Sequence, residues 1–240
     1  ARNAVLDQLL AHCPLADTLS GIASRLEALS PDMCVSIMGL HPDHTLHLLA
    51  APSLPQTYSH AIDGIGAELG VGSCGQAAAS GELMVAEDLQ RHPNWQAYRA
   101  LTLAAGLHAC WSLPFKNDSG EVLGTFGIYY RTVKLPSDED IALVTEFTRL
   151  AGLAVQQQRR ESARQDSEER FRATFEQAVI GIAHVSPEGR FLLVNSQICN
   201  MLGYAQEQLL GQSFQTLTHP DDLPRDLEHM DKLLSGEIDR

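Results

Sequence analysis

Cys74 and Cys110 are the residues of this sequence best suited to covalent chemistry, since one thiolate can attack an electrophilic sulfur and a second thiol can resolve the product. The structural alternative keeps both as small apolar core residues, a common fate of free cysteine. Asp88, His92, Trp95, Tyr98, His108 and Ser112 supply aromatic rings and a few polar groups, the mixture that suits a small-ligand site. His92 precedes Pro93 and also reads as a turn residue, Trp95 also reads as the anchor of a lid loop, and Trp111 reads as structural. His92, His108, Cys74, Cys110 and Asp88 are metal-ligand types, but their spacings fit no closed zinc pattern, so no metal site is assigned. The run Gly70 to Gly75 lacks the Lys-Ser/Thr pair of a phosphate loop and reads as a turn into a helix. No histidine marks itself as an axial haem ligand, His184 and His219 read as structural, and the cofactor is unknown.

The elements that must position these groups follow from periodicity. Val5, Leu9, Leu10, Leu15, Leu19, Ile22, Leu26 and Leu29 fall at three- and four-residue intervals, predicting a packing helix interrupted near Pro14. Met33 to Leu40 and Thr45 to Ala51 predict a hairpin turning at His41-Pro42-Asp43-His44. The Gly-rich segment ending at Gly75 feeds a short Ala-rich helix from Gln76 to Ser80, stopped by Gly81. Strands are predicted at Leu83 to Ala86, Leu107 to Phe115 and Val122 to Arg131, with a helical turn in the loop Asp88 to Leu103. Asn117-Asp118-Ser119-Gly120 is the turn between the last two strands. Pro136-Ser137-Asp138-Glu139 opens a helix that nothing breaks before Phe175. Beyond it come short strands at Val179 to Val185 and Phe191 to Val194, then helical segments at Ser196 to Leu202 and Ala205 to Leu210.

Composition narrows the classes. The 240 residues are 44% hydrophobic and 20% charged, as in a soluble globular protein with room for one complete domain and part of another. Every apolar run is too short to span a bilayer. Seventeen basic against 30 acidic residues give a net charge of −13, which repels phosphate backbones and anionic membranes, so neither nucleic acid nor membrane is expected as a partner. Five scattered cysteines predict reduced thiols and a cytoplasmic location. The start Ala1-Arg2-Asn3 has neither initiator Met nor signal segment, and is expected to be a cut within a longer protein.

Several motifs in one order carry a family resemblance. Gly72-Ser73-Cys74-Gly75-Gln76-Ala77-Ala78, Val85-Ala86-Glu87-Asp88, Pro93-Asn94-Trp95, Gly106 to Pro114 and Gly124-Thr125-Phe126-Gly127-Ile128-Tyr129 resemble bacterial GAF domains. The resemblance implies an α+β fold, with a central antiparallel sheet, flanking helices on one face and a small-molecule pocket on the other. Cys74, Asp88, His92, Trp95, Tyr98, His108 and Ser112 are the residues it would direct to that pocket, although His108 stands where related domains often carry Arg. The free methionine-(R)-sulfoxide reductases share this fold. Their nucleophilic Cys precedes a Ser-Glu-Ile-x-x-Pro segment, whereas the matching stretch Thr102 to Ala105 here holds no Cys.

Glu169 to Glu176, Ile180-Gly181-Ile182, Gly189-Arg190-Phe191, Asn195, Met201 to Tyr204 and Thr218-His219-Pro220-Asp221-Asp222 resemble the first half of a PAS domain. There Asn195 is expected to cap the following helix. The predicted organisation is a GAF domain over 1–158, a helical connector over 159–170 and a truncated PAS domain over 171–240. By resemblance this is the sensory part of a bacterial signalling protein, whose output domain would be a histidine kinase, diguanylate cyclase or cyclic di-GMP phosphodiesterase. The alternatives are the sulfoxide reductase and a ligand-free dimerisation scaffold. A parallel homodimer is expected along Leu9, Leu19, Ile22, Val144, Phe147 and Ala151.

Overall fold

Along β1 (Met33–Leu40) the side chains divide by alternation: Val35 and Ile37 enter one apolar core, Cys34 and Met38 another. The same division recurs along β6 (Val122–Tyr130), where Phe126, Ile128 and Tyr130 face the first core and Tyr129 the second. Strands buried on both faces belong at the centre of a covered sheet. That is their place in the computed structural model, which describes residues 14–237. With β2 (Thr45–Ala50), β3 (Ile65–Gly66), β4 (Met84–Ala86) and β5 (Ala109–Lys116) they form a six-stranded antiparallel sheet of order β3-β2-β1-β6-β5-β4.

One face is covered by α1 (Leu15–Leu29) and the first half of α5 (Asp138–Glu176). These are the expected packing helices; the part of the first stripe before Pro14 lies outside the described residues. A reciprocal cap starts α5: the Ser137 amide donates to the Asp140 carboxylate and the Asp140 amide to the Ser137 hydroxyl, both at 3.1 Å. The homodimer seam expected along Leu19, Ile22, Val144, Phe147 and Ala151 is corrected here. All five side chains are at most 6% exposed within this one chain's core, because the sheet face is wide enough to take both helices.

The other face carries α2 (Gln56–Ile62), α3 (Gly72–Ser80), a 3₁₀ turn (Pro93–Tyr98) and α4 (Arg99–Ala104). The Ala-rich helix begins at Gly72, four residues earlier than its composition predicts. Close packing explains the difference, since a Cβ on Gly75 would stand 2.5 Å from the Gly66 carbonyl oxygen of β3. Glycine is needed there for approach, not for a loop.

Contacts divide the chain into two units, 1–161 and 162–240. In the first, Gln156 and Arg160 on α5 donate to Asp118 at the β5–β6 turn, at 3.2 and 3.5 Å, and the Arg159 guanidinium donates to the carbonyls of Leu40 and Leu123. Every side chain from Gln157 to Thr174 is exposed. Glu168 pairs there with Arg164 at 3.1 Å and Arg172 at 3.5 Å, the support expected of a helix that is polar all round.

The second unit begins within α5 and contains the hairpin β7 (Ala183–Val185) and β8 (Phe191–Val194), then α6 (Ser196–Leu202), α7 (Gln206–Leu209), a short 3₁₀ turn (Phe214–Thr216) and α8 (Leu223–Ser235). Its core of Phe191, Val194 and Leu209 is small, and Val179, Ile180, Leu192 and Met201 are exposed. Asn195 caps α6 as the sequence suggests, and its other bonds reach further: its Oδ1 accepts from Ile182 and Ile198, and its Nδ2 donates to the carbonyls of Phe175 and Ile180. Among the described residues no helix is long and apolar enough to cross a membrane.

Candidate functional site

Three strands lay a polar patch under α3. The register pairs Ser36 with Gly127 and Gly127 with Ser112, while Tyr129 lies between Cys34 and Cys110. Gly127 leaves the space that α3 occupies: a Cβ there would stand 2.6 Å from Ser36 Oγ and 2.8 Å from Cys74 Sγ. The Cys74 thiol therefore rests on the sheet, among the hydroxyls of Ser112, Thr125, Tyr129 and Ser36. Burial pushes the Cys74 thiol up and the Cys110 thiol well up, which favours the neutral forms. A nucleophilic thiolate needs the opposite environment.

Beside this patch a cavity of about 20 Å³ is walled by the rings of Tyr58, Trp95, Tyr98 and Tyr129. The backbone turn Gly72-Ser73-Cys74 and the side chains of Ile62 and Ile65 complete its lining. Tyr129 meets Tyr58 edge to face at 5.5 Å and Trp95 at 6.5 Å, and Trp95 meets Tyr98 at 6.1 Å. Trp95 Nε1 donates to Ser73 Oγ at 3.2 Å, and that hydroxyl donates to the Cys110 carbonyl at 3.3 Å. The Tyr58 hydroxyl, fully buried and near that of Tyr129, has no hydrogen-bond partner, and neither have Ser36 Oγ and Thr125 Oγ1. Each such orphan forfeits roughly 1–3 kcal/mol of solvation, so three within one face call for an explanation.

The residues singled out from sequence divide into two groups. Cys74, Trp95 and Tyr98 line the cavity. Ser112 lies under it and donates to the Phe126 carbonyl at 2.9 Å. Asp88 and His92 shape the loop that delivers Trp95: Asp88 accepts from the Gln90 amide at 2.9 Å and pairs with Arg91 at 3.4 Å, while His92 Nδ1 accepts from the Asn94 amide at 3.3 Å. His108 is half-buried, and its backbone links Leu89 to Tyr130. Trp111 is buried on the opposite face, donating to the Tyr130 hydroxyl at 3.3 Å. Tyr58 and Tyr129 line the cavity as well, without being among the residues that the sequence singles out. The alternation Thr125, Gly127, Tyr129 could have revealed the second; nothing local marks the first. Among the described residues no cluster of three or more His, Cys, Asp or Glu could hold a metal ion.

Comparisons with known proteins agree with this fold. The GAF domain pattern matches residues 14–156 and the PAS fold pattern matches residues 169–237. A methyl sulfide methyltransferase-associated sensor of Methanosarcina acetivorans is 28% identical over 235 residues, covering 97% of this chain and 24% of that protein. The Escherichia coli protein named "Probable diguanylate cyclase DgcE" is 49% identical over 73 residues, 30% of this chain and 7% of its own length. The chain thus spans a quarter or less of the curated relatives it matches. In structure it is similar to the GAF domain of a phosphoenolpyruvate-protein phosphotransferase from Coxiella burnetii, with a TM-score of 0.55 at 19% identity, over 67% of this chain and 94% of that one. That similarity concerns the fold alone.

Proposed function

Since the chain belongs to the GAF domain family over residues 14–156, with a PAS fold over 169–237, we propose that it is the sensing portion of a cytoplasmic signalling protein. A small ligand binds in the Tyr58–Trp95 cavity, and α5 relays the change toward an output domain of histidine kinase, diguanylate cyclase or cyclic di-GMP phosphodiesterase type. The observation that carries this reading is the continuity of α5. Val144, Phe147, Ala151 and Val155 are buried in the core of the first unit, while Phe175 on the same unbroken helix is buried in the second. A displacement of the first core therefore has a stiff path to follow. The described cysteines are free thiols, in keeping with a reducing compartment.

The test is to interrupt that path. Two prolines inserted after Ala163, among exposed side chains, should abolish regulation of a fused diguanylate cyclase domain while both units keep their amide protection. Unchanged regulation would refute the relay. A homodimer belongs to the same proposal, with its contact on exposed residues such as Leu29, Leu135 and Leu153; light scattering of the purified chain decides it. The ligand-free scaffold is the second reading, favoured by a cavity of only about 20 Å³. Sulfoxide reduction is not proposed, because neither Cys74 nor Cys110 is exposed or activated.

A further inference from the structure

We propose that the cavity takes a flat, uncharged molecule that hydrogen-bonds the Tyr58 hydroxyl, and that the turn Pro93–Tyr98 swings out to admit it. This rests on the ligand-binding reading above and adds the class of ligand and the means of entry. No lining residue carries a formal charge at neutral pH. An ion brought there would lose its hydration without gaining a counter-charge, at a cost of several kcal/mol. Arg99 is the nearest cation in sequence and its Nε is buried without a partner, but it lies outside the lining. Four aromatic rings are the walls suited to a planar guest. The Tyr58 hydroxyl can both donate and accept, and apart from the nearby Tyr129 hydroxyl, which makes no well-formed bond to it, no protein group answers it.

Size requires movement. A volume of about 20 Å³ holds one water molecule, whereas an apolar cavity of about 150 Å³ is the scale that admits a six-membered ring. Tyr129 is fixed between two strands, so it is an unsuitable gate. Trp95 stands on a short 3₁₀ segment of two turns that runs into α4, and the hydrogen-bond geometry of such segments is intrinsically poor. The side chains of that turn hold α3 by three long bonds: Trp95 Nε1 to Ser73 Oγ at 3.2 Å, Asn94 Nδ2 to Gln76 Oε1 at 3.4 Å, and Asn94 Nδ2 to the Gly72 carbonyl at 3.5 Å. The bare Cα of Gly72 faces the indole, with room for ordinary contact and nothing that grips it. Lifting Trp95 breaks these three bonds and the ring's edge-to-face contact with Tyr129, and brings a side chain that is only 4% exposed into water, so the guest's own burial must offset the opening; it uncovers Tyr58, Cys74 and Tyr129 together.

The experiment titrates the whole chain with benzamide, benzoate and benzamidinium, three probes of one planar shape and different charge, while the two tryptophan indole N–H signals are followed by NMR. Trp95→Phe assigns those signals. Benzamide is expected to move the Trp95 signal and leave that of Trp111 in place, with the charged probes at least tenfold weaker. Tyr58→Phe is expected to weaken benzamide about fivefold while leaving the free protein as stable as before or more so, because the orphan hydroxyl is gone. If benzoate or benzamidinium binds as well as benzamide, the inference is overturned and the ligand-binding reading stands. Silence from all three probes overturns both. Equal benzamide affinity in Tyr58→Phe removes the hydroxyl from the site, and the inference with it.

Discussion

Asn195 Nδ2 donates to the Phe175 carbonyl across 2.9 Å, so the last turn of α5 is tied to the residue that ends β8 and caps α6. Its second amide hydrogen and both lone-pair directions of its oxygen are also engaged, which saturates the side chain. Neighbouring contacts reinforce the tie, for the Ser196 amide donates to the Glu176 carboxylate and the Ser196 hydroxyl to the Glu176 carbonyl.

Replacing Asn195 by Ala should therefore destabilise the second unit by roughly 2–3 kcal/mol, since two half-buried amides and two carbonyls, that of Phe175 buried, lose this partner. Trp95 and Trp111 both lie in the first unit, so fluorescence isolates its unfolding transition, which should not move. Amide exchange over Ala183–Val194 should accelerate markedly. Even in the parent chain those amides should exchange faster than Val122–Tyr130, because a two-stranded sheet over a small core has little margin.

At the start of α5, burial pushes the Asp140 carboxyl up, but hydrogen bonds from Ser137 and Tyr130 and the charge of Lys134 outweigh it and hold the group below its ordinary value of 3.8. A carboxyl lowered by folding stabilises the folded state above its unfolded value, and that contribution is lost as pH falls through the folded one. Asp140→Asn should thus cost about 1 kcal/mol at pH 7, in line with the loss of a cap. The difference in melting temperature from the parent should shrink once the pH drops below about 4. A gap that persists unchanged at pH 3 would contradict this.

Gly127→Ala should destabilise the first unit by about 1–3 kcal/mol, because the new methyl meets Ser36 Oγ and Cys74 Sγ inside van der Waals contact. Adding Cys74→Ala removes one of the two obstacles. The double variant should recover part of the loss, and a double-mutant cycle by urea denaturation measures the coupling. Purely additive effects would place the thiol elsewhere.

Thiol accessibility gives a fourth test. Among the described cysteines, brief iodoacetamide treatment of the native chain, read by peptide mass mapping, should label the half-buried Cys199 first. Cys74 and Cys110 should react only after denaturation, being buried and held protonated. Rapid labelling of either would reopen redox chemistry.

The central strands were legible because their residues are apolar on both faces, and β1 and β6 are where such runs must go. The entry to α5 was legible because Pro136-Ser137-Asp138 is local chemistry. What stayed hidden depends on contacts between distant segments. Gly75 reads as a loop residue until the Gly66 carbonyl is placed against it, and Tyr58 reads as one aromatic in a short helix until Tyr129 faces it. The stripe through Val144, Phe147 and Ala151 announces that a partner surface exists, but cannot say that the surface is the chain's own sheet. Among the pocket candidates, Trp95 and Tyr98 had a signal in their loop, whereas the division of labour between His92 and Trp95 appears only once the turn is folded.

The exposed stretch from Gln157 to Thr174 also sets how this architecture can change over generations. Each codon gained or lost there turns whatever follows by about 100° and moves it about 1.5 Å along the helix axis. A change of seven residues nearly restores the original facing after about two turns, whereas a change of five swings it well around. Since the side chains in that stretch pack against no core, such changes cost little stability, and inheritance can sample them freely. Under the relay proposed above, the lengths that survive should be sorted by helical phase, in steps of roughly seven, while the amino acids that fill them are left to drift.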